Sequence, residues 1–143
     1  MAEETTRTLM RVIPPGFESY RAKSPFMESM GPLYAREERD GGITIGLRVH
    51  EKHLNHQEAV HGGAVASLVD NAMGYHAAQA LGLPVATVHL AVDYLARVSE
   101  GDWLEVRSHL DRRGKRLLFM ACTGIVGRKL AFRASAVFSS IRR

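Results

Sequence analysis

The pattern of apolar and polar residues predicts a chain made mostly of strands, together with one long helix. Alternation is clearest at residues 43–50, where one face carries Ile43, Ile45, Leu47 and Val49. Polar or small residues occupy the other face, which is typical of a half-buried strand. The stretch LYAREERD and the turn Asp40-Gly41-Gly42 precede it. Residues 33–50 are therefore predicted to form a β-hairpin.

Residues 61–82 have the period of a helix rather than that of a strand. Their apolar face consists of Val65, Leu68, Val69, Ala72, Met73 and His76, which recur at helical spacing. Gly82, before Leu83-Pro84, is a typical helix end. A second face is small or polar and carries Gly63, Ser67, Asp70 or Asn71, Gly74 and Ala78. Such a face allows another chain segment or a ligand to approach closely.

The remaining chain is predicted to form strands, apart from its beginning. Alternating runs follow the helix, with turns at residues 99–102 and 112–115 and at Gly127, so the strands should be antiparallel. The run LLFMACTGIV is apolar on both faces and is predicted to be a central strand. The fold class is therefore α+β, with one long helix against an antiparallel sheet of five to six strands.

The first residues are predicted to be a loosely structured lead-in, covering residues 1–24. Pro14, Pro15 and Gly16 disfavour a long helix in this segment. Ser24 and Pro25 then provide an N-cap and a first helical residue for a short N-terminal helix, which Gly31-Pro32 ends. A single domain is predicted over residues 25–143.

Composition and charge narrow the classes of partner. The chain has 143 residues, a formal net charge of +4 and one cysteine, Cys122, in an apolar run, so we expect no intramolecular disulfide and a buried thiol. A modest positive charge favours anionic partners, but no basic block with interleaved aromatics indicates nucleic acid. The first residues have no apolar signal core and no apolar stretch is long enough for a bilayer. We therefore expect a cytoplasmic protein without a membrane partner.

Candidate chemistry is concentrated around the start of the long helix. His61-Gly62-Gly63 stands where unpaired backbone N–H groups and a positive helix dipole would face a ligand. This arrangement suits an anion site, or an oxyanion hole for a developing negative charge. Asp70 lies nine residues after His61 and could act as a general base or as a nucleophile. The same features also fit a plain turn and a solvent-exposed aspartate.

Taken together, Asn55, His61-Gly62-Gly63, Asp70-Asn71-Ala72 and Thr87 resemble the hotdog thioesterases of the phenylacetate-degradation (PaaI) type. The resemblance covers about residues 40–140. It implies a long helix wrapped by the sheet, and subunits that pair edge to edge as a dimer or a dimer of dimers. It also implies hydrolysis of an acyl-CoA thioester to a free acid and CoA, without a metal or an organic cofactor.

The resemblance also implies roles for individual residues. The Gly62 backbone N–H would polarise the thioester carbonyl, and His61 would hold that turn in place. Asp70 from the opposite subunit would activate water or attack the carbonyl. Asn55 would orient the water or the thioester, and Thr87 would position the nucleophilic water. Gly63 and Asn71, next to these residues, are expected to contact the substrate.

Basic residues and histidines outside this motif are open to more than one interpretation. Arg112, Arg113, Lys115 and Arg128 are candidates for holding the CoA phosphates, or are solvated turn residues. The histidines of residues 50–61 match no zinc-ligand spacing, so we expect no metal and interpret them as solvated loop residues.

Two alternative functions follow from the same fold. One is a hotdog dehydratase or hydratase, although the sequence has no HFPG-like motif. The other is a non-catalytic acyl-CoA-binding protein that acts as a sensor or scaffold. The presence of Asp70 favours catalysis over simple binding.

Overall fold

Seven strands and three α-helices make up the part of the chain that the computed structural model describes, residues 1–9 and 12–141. Residues 10 and 11 of the predicted lead-in, and residues 142 and 143 of the predicted domain, lie outside the described residues. A short 3₁₀ helix covers Glu51–His53. The other elements are α1 Ala2–Leu9, β1 Glu18–Tyr20, α2 Pro25–Met30, β2 Leu33–Glu37, β3 Ile43–Arg48, α3 Gly62–Leu81, β4 Val85–Tyr94, β5 Trp103–Arg113, β6 Leu117–Val126 and β7 Lys129–Ser140.

All seven strands belong to one antiparallel sheet in the order β1-β2-β3-β5-β6-β7-β4. The long helix α3 packs against β3, β4, β5, β6 and β7, so the sheet wraps one helix as the sequence predicts. The sheet exceeds the expected five to six strands because Glu18–Tyr20 pairs with β2. Residues 1–24, expected to be loosely structured, therefore contribute both α1 and β1.

The predicted start of α2 and the predicted end of α3 are both confirmed. Ser24 Oγ accepts the Met27 N–H at 3.3 Å, and Pro25 is the first residue of α2. Gly82 ends α3 with a φ of 68°, a conformation that glycine adopts at little steric cost. The buried face of α3 includes the six predicted residues and also Ala64 and Ala77.

The outer face of β3 is buried, which corrects the expectation of a half-buried strand. Thr44 and Arg48 are only 2% and 9% exposed. Phe17 and Trp103 pack edge to face with ring centroids 5.2 Å apart, and a Cβ at Gly46 would lie 2.3 Å from the Trp103 ring. Aromatic residues from distant segments thus cover the face that local alternation assigns to solvent.

The single cysteine lies in the core, on the central strand β6. Cys122 is 1% exposed, and burial raises the pKa of its thiol to about 12. It therefore remains protonated at neutral pH and is a packing residue. On the outer face of the same strand, Leu117 and Phe119 are each 40% exposed, so only one of the two apolar faces of β6 is fully covered.

The strand β4 lies at one edge of the sheet and exposes large apolar and aromatic side chains. It pairs with β7 on one side and has no strand partner on the other side within the described residues. Val88 and Tyr94 are 60% and 55% exposed. None of the helices in the described ranges has the length and apolar character that crossing a bilayer requires.

Candidate active site

The first turn of α3 uses nearly all of its backbone donors internally. His61 is the N-cap, and its Nδ1 accepts the Gly63 N–H at 2.8 Å. The N–H groups of Ala64 and Val65 donate to the His61 carbonyl at 2.9 and 3.2 Å. Among the described residues, the Gly62 N–H has no hydrogen-bond partner. One amide at the positive end of the helix is therefore free to bind an oxygen.

A tyrosine that sequence reasoning missed also contacts this turn. Tyr94 is the last residue of β4, and its hydroxyl donates to the Gly62 carbonyl at 2.6 Å. Tyr94 falls within one of the alternating runs after the helix, and such a pattern does not specify a hydrogen bond. The turn at Gly62 is thus joined to the exposed edge strand.

Asp70 and Thr87 form a hydrogen-bonded pair between α3 and β4. Thr87 Oγ1 donates to Asp70 Oδ1 at 2.7 Å, and the pair is open to solvent. Asp70 makes no ion pair among the described residues, and its Oδ2 has no hydrogen-bond partner there. A hydroxyl donor to a carboxylate makes a strong hydrogen bond and fixes its rotamer. One carboxylate oxygen is left to accept a proton or to attack.

A cavity of about 430 Å³ opens beside Asp70, between α2, α3 and β4. Apart from Asp70, its walls include Ser24, Phe26, Met27, Ala66, Asn71 and Leu90. The apolar residues among these walls suit a hydrocarbon or aromatic group. The short helix α2 therefore forms one wall of the cavity next to the carboxylate. The sequence predicted this helix but did not indicate a role for it.

Asn71, predicted to contact the substrate, lines this cavity and also makes a hydrogen bond to a neighbouring strand. Its Nδ2 donates to the Tyr20 hydroxyl at 3.3 Å. Tyr20 packs edge to face on Tyr75 with centroids 5.8 Å apart, and burial raises the pKa of Tyr20. Asn71 thus joins α3 to β1 while it faces the cavity.

Asn55 lies in the loop before α3, and its own loop fixes its orientation. Asn55 Oδ1 accepts the N–H groups of Gln57 and Ala59 at 2.9 and 3.2 Å. The oxygen is used in this way, whereas the amide Nδ2 has no hydrogen-bond partner among the described residues. This leaves Asn55 as a hydrogen-bond donor, which suits a carbonyl or a water oxygen.

His53 is an exception to the interpretation of the loop histidines as solvated. It is 2% exposed, its Nδ1 accepts the His50 N–H at 3.0 Å, and its Nε2 lies 2.7 Å from the Met30 carbonyl oxygen. Because a carbonyl only accepts, Nε2 carries the proton. Burial lowers the pKa of His53 below its usual value. The His53 carbonyl also accepts the His61 N–H at 2.8 Å, so this residue connects α2 to the cap of α3.

The predicted phosphate-binding residues lie in different places. Arg112 and Lys115 line an outer groove of about 720 Å³ with Arg116, Leu117 and Phe119. Arg113 instead donates from Nη1 to the Ala80 carbonyl at 2.9 Å, at the C-terminal end of α3. Arg128 lies on the turn between β6 and β7, at the opposite end of β6. One chain therefore brings Arg112 and Lys115 together and separates them from Arg128.

Gly62 and Asp70 do not meet within one chain. They are eight residues apart on α3, which is about 12 Å along a helix that rises about 1.5 Å per residue. A single carbonyl group cannot contact both residues of the same chain. The Asp70 and Thr87 pair and the Gly62 turn therefore lie at two separate places on the chain.

Comparison with known proteins identifies the class to which this fold belongs. The sequence profile of the thioesterase superfamily matches residues 57–128, which include Gly62, Asp70 and Thr87. The chain belongs to the thioesterase superfamily and has the hotdog fold.

Individual relatives agree with this assignment. A Pseudomonas aeruginosa protein named as an esterase is 34% identical over 131 residues, which cover 90% of this chain and 98% of that protein. Human acyl-coenzyme A thioesterase 13 is 27% identical over 96 residues, covering 66% of this chain and 68% of that protein. The Escherichia coli PaaI structure has a TM-score of 0.76 at 20% identity, covering 84% and 86% of the two chains.

Proposed function

We propose that this protein hydrolyses an acyl-CoA thioester to a free acid and CoA, in a site shared by two copies of the chain. The observation that carries the proposal is the presence of two complementary half-sites. One is the Gly62 N–H, which has no partner among the described residues. The other is the Asp70 carboxylate, which Thr87 holds at 2.7 Å. A relative named acyl-coenzyme A thioesterase 13 supports the choice of a CoA thioester.

The chemistry requires a polarised carbonyl and a group that delivers oxygen to it. The Gly62 N–H of one copy binds the thioester oxygen and stabilises the negative charge that develops on it. Asp70 of the other copy removes a proton from water or attacks the carbonyl carbon itself. Asn55 donates from Nδ2 toward the same oxygen or the water. If Asp70 acts as a base, the oxygen of water adds to the carbonyl carbon, the C–S bond breaks, and the CoA thiolate takes up the proton that Asp70 removed. If Asp70 attacks, the C–S bond breaks as an acyl-Asp70 anhydride forms. Water then hydrolyses this anhydride to the free acid, and the thiolate takes up the proton released.

The exposed edge of β4 provides a way to join the half-sites. Unpaired strand edges readily pair with another chain, and β4 carries exposed Val88 and Tyr94. Antiparallel pairing of two copies about the middle of β4 would place Thr87 of one copy beside the Tyr94 end of the other. Since Tyr94 contacts Gly62, the same pairing would bring Asp70 toward the second copy's free amide.

The outer groove is proposed to hold the nucleotide end of CoA. Leu117 pairs with Ser139 on β7 and Ser139 pairs with Ala86 on β4. The groove therefore lies two strands, or about 10 Å along the sheet, from Ala86, on the outer face of the sheet. Its Arg112 and Lys115 supply charge for phosphates, and its exposed Phe119 supplies an aromatic face for the base. In the antiparallel pair, Arg128 of the second copy lies toward the same end of the sheet.

Replacing Asp70 tests the carboxylate. Asp70→Asn keeps an oxygen that can accept from Thr87 but removes the charge, and Asp70→Ala removes both. We expect either variant to lower kcat at least about 10²-fold with unchanged folding, measured as thiol release from a panel of acyl-CoAs. Glu18→Gln, an exposed carboxylate on β1 at the opposite edge of the sheet, is the control. Native rates in the Asp70 variants would remove this residue from the mechanism.

Proline at position 62 tests the amide donor. Proline is well tolerated at the first helical position, and His61 already has the extended conformation, φ −62° and ψ 135°, that a following proline requires. Gly62→Pro therefore deletes the N–H, and we expect kcat to fall about 10²- to 10³-fold. Gly62→Ala adds a Cβ at the same place but keeps the N–H, so its loss should be much smaller. Equal losses in the two variants would assign the effect to steric crowding instead.

Mixing two inactive variants tests whether the site is shared. A hybrid dimer of Asp70→Ala and Gly62→Pro chains has one site in which both groups are intact. Refolding the two variants together at equal amounts should make half of the dimers hybrid and restore about a quarter of native activity. The same variants mixed without unfolding are the control. No recovery after refolding, with hybrids demonstrated by mass spectrometry, would place the whole site in one chain.

Substrates with and without the nucleotide test the groove. We expect Arg112→Ala with Lys115→Ala to raise KM roughly tenfold for an acyl-CoA, because phosphate contacts are lost. KM for the same acyl group on N-acetylcysteamine, which lacks the nucleotide, should not change. Arg113→Ala, whose native side chain is bonded to Ala80, is the matched control. An equal rise in KM for both substrates would reject the groove as a nucleotide site.

A further inference from the structure

The hydroxyl of Tyr94 makes a contact at the half-site that contains Gly62. Tyr94 Oη donates to the Gly62 carbonyl at 2.6 Å. Tyr94 ends β4, whereas Gly62 begins α3, so the bond joins residues 32 positions apart. The Tyr94 side chain is 55% exposed. Its hydroxyl could therefore bond to water, and burial does not require the bond to the Gly62 carbonyl.

This bond completes the anchoring of the two peptide groups that flank Gly62. In the peptide after Gly62, Tyr94 holds the carbonyl and His61 Nδ1 holds the Gly63 N–H at 2.8 Å. In the peptide before it, the His61 carbonyl accepts the N–H groups of Ala64 and Val65. The Gly62 N–H is therefore the one group of these two peptides without a partner among the described residues. These bonds restrict a turn that contains two adjacent glycines, which have more backbone freedom than other residues.

The same tyrosine also packs directly on Gly62. A Cβ at position 62 would lie 3.3 Å from Tyr94 Oη and 3.4 Å from Tyr94 Cζ, which is tighter than ordinary van der Waals contact. Gly62 is the first residue of α3 and has no positive φ that would demand glycine. The close approach of Tyr94 thus supplies a specific reason for glycine at this position.

We infer that Tyr94 is a positioning residue for the oxyanion-binding amide of Gly62. This inference rests on the proposed function. A donor lowers the barrier most when it already points to the place where the charge develops, because no reorganisation is then needed during the reaction. Tyr94 acts through the backbone and does not contact the substrate itself. Its loss should therefore affect the chemical step more than the binding of the substrate.

Removal of one hydroxyl group tests this role. We expect Tyr94→Phe to lower kcat roughly fivefold, the size expected for one intramolecular hydrogen bond, and to leave KM within about twofold. Tyr34→Phe is the matched control, since the Tyr34 hydroxyl has no hydrogen-bond partner among the described residues. Thermal unfolding and sedimentation of both variants exclude a loss of folding or of assembly. A rise in KM with an unchanged kcat would overturn the inference.

A double-mutant cycle tests whether Tyr94 and Gly62 act together on kcat. In the native background, the Cβ of Gly62→Ala presses against Tyr94 Oη. In the Tyr94→Phe background that oxygen is absent, so Gly62→Ala should cost less in kcat than it does alone. Effects that multiply independently would show that the two residues are not coupled, which overturns the inference.

The failure of this inference differs from the failure of the proposed function. If native protein releases no thiol from any acyl-CoA in the panel, or if release is independent of Asp70, the proposed function itself fails. If release is rapid and depends on Asp70 while Tyr94→Phe has native kcat, only the role of Tyr94 is rejected.

Discussion

The rise of an α-helix, about 1.5 Å per residue, decides how the candidate site can be assembled. Gly62 and Asp70 are both on α3 but eight residues apart, too far for a single thioester carbonyl to reach both. The chain instead presents each group next to the same exposed strand, with Thr87 and Tyr94 as the two contacts from β4. In the proposed site, pairing of the β4 edges performs two tasks at once. It satisfies the backbone groups of an open sheet edge, and it closes the distance that the helix geometry imposes.

Close approach between α3 and the sheet makes the contacts from β4 possible. A Cβ at Gly74 would lie 3.2 Å from the Phe138 ring, on the strand that pairs with β4. A larger residue there would push the helix outward and lengthen the bond between Thr87 and Asp70. The small and polar face of α3 therefore matters for the site because it sets the distance between α3 and the sheet. Gly124 has a related function within the sheet, since a Cβ there would overlap the Phe132 ring at 2.1 Å.

The parts of this fold that depend on local chemistry can be predicted from the sequence, whereas the parts that depend on distant contacts cannot. The bounds of α3, its buried face and the cap of α2 follow from periodicity and from Ser24 and Gly82, which act within their own turns. The strand β1 has three residues and no alternation of its own, so only its pairing with β2 defines it. Burial of Thr44 and of His53 depends on partners far along the chain. Tyr94 belongs to the same group, because nothing in its neighbourhood in the sequence indicates a bond to Gly62.

The distribution of charge in the molecule suits a carboxylate that must react rather than only stabilise the fold. Asp70 is held by the neutral hydroxyl of Thr87, whereas the ion pairs in the described part of the chain involve other carboxylates, such as Asp93 with Arg133 and Asp40 with Arg107. A guanidinium beside Asp70 would occupy both carboxylate oxygens and neutralise their charge. The hydroxyl fixes the orientation of Asp70 and occupies only one oxygen. In the proposed function, Arg112 and Lys115 lie about two strands away. There they would hold the far end of a long substrate without neutralising the carboxylate proposed to act on its thioester.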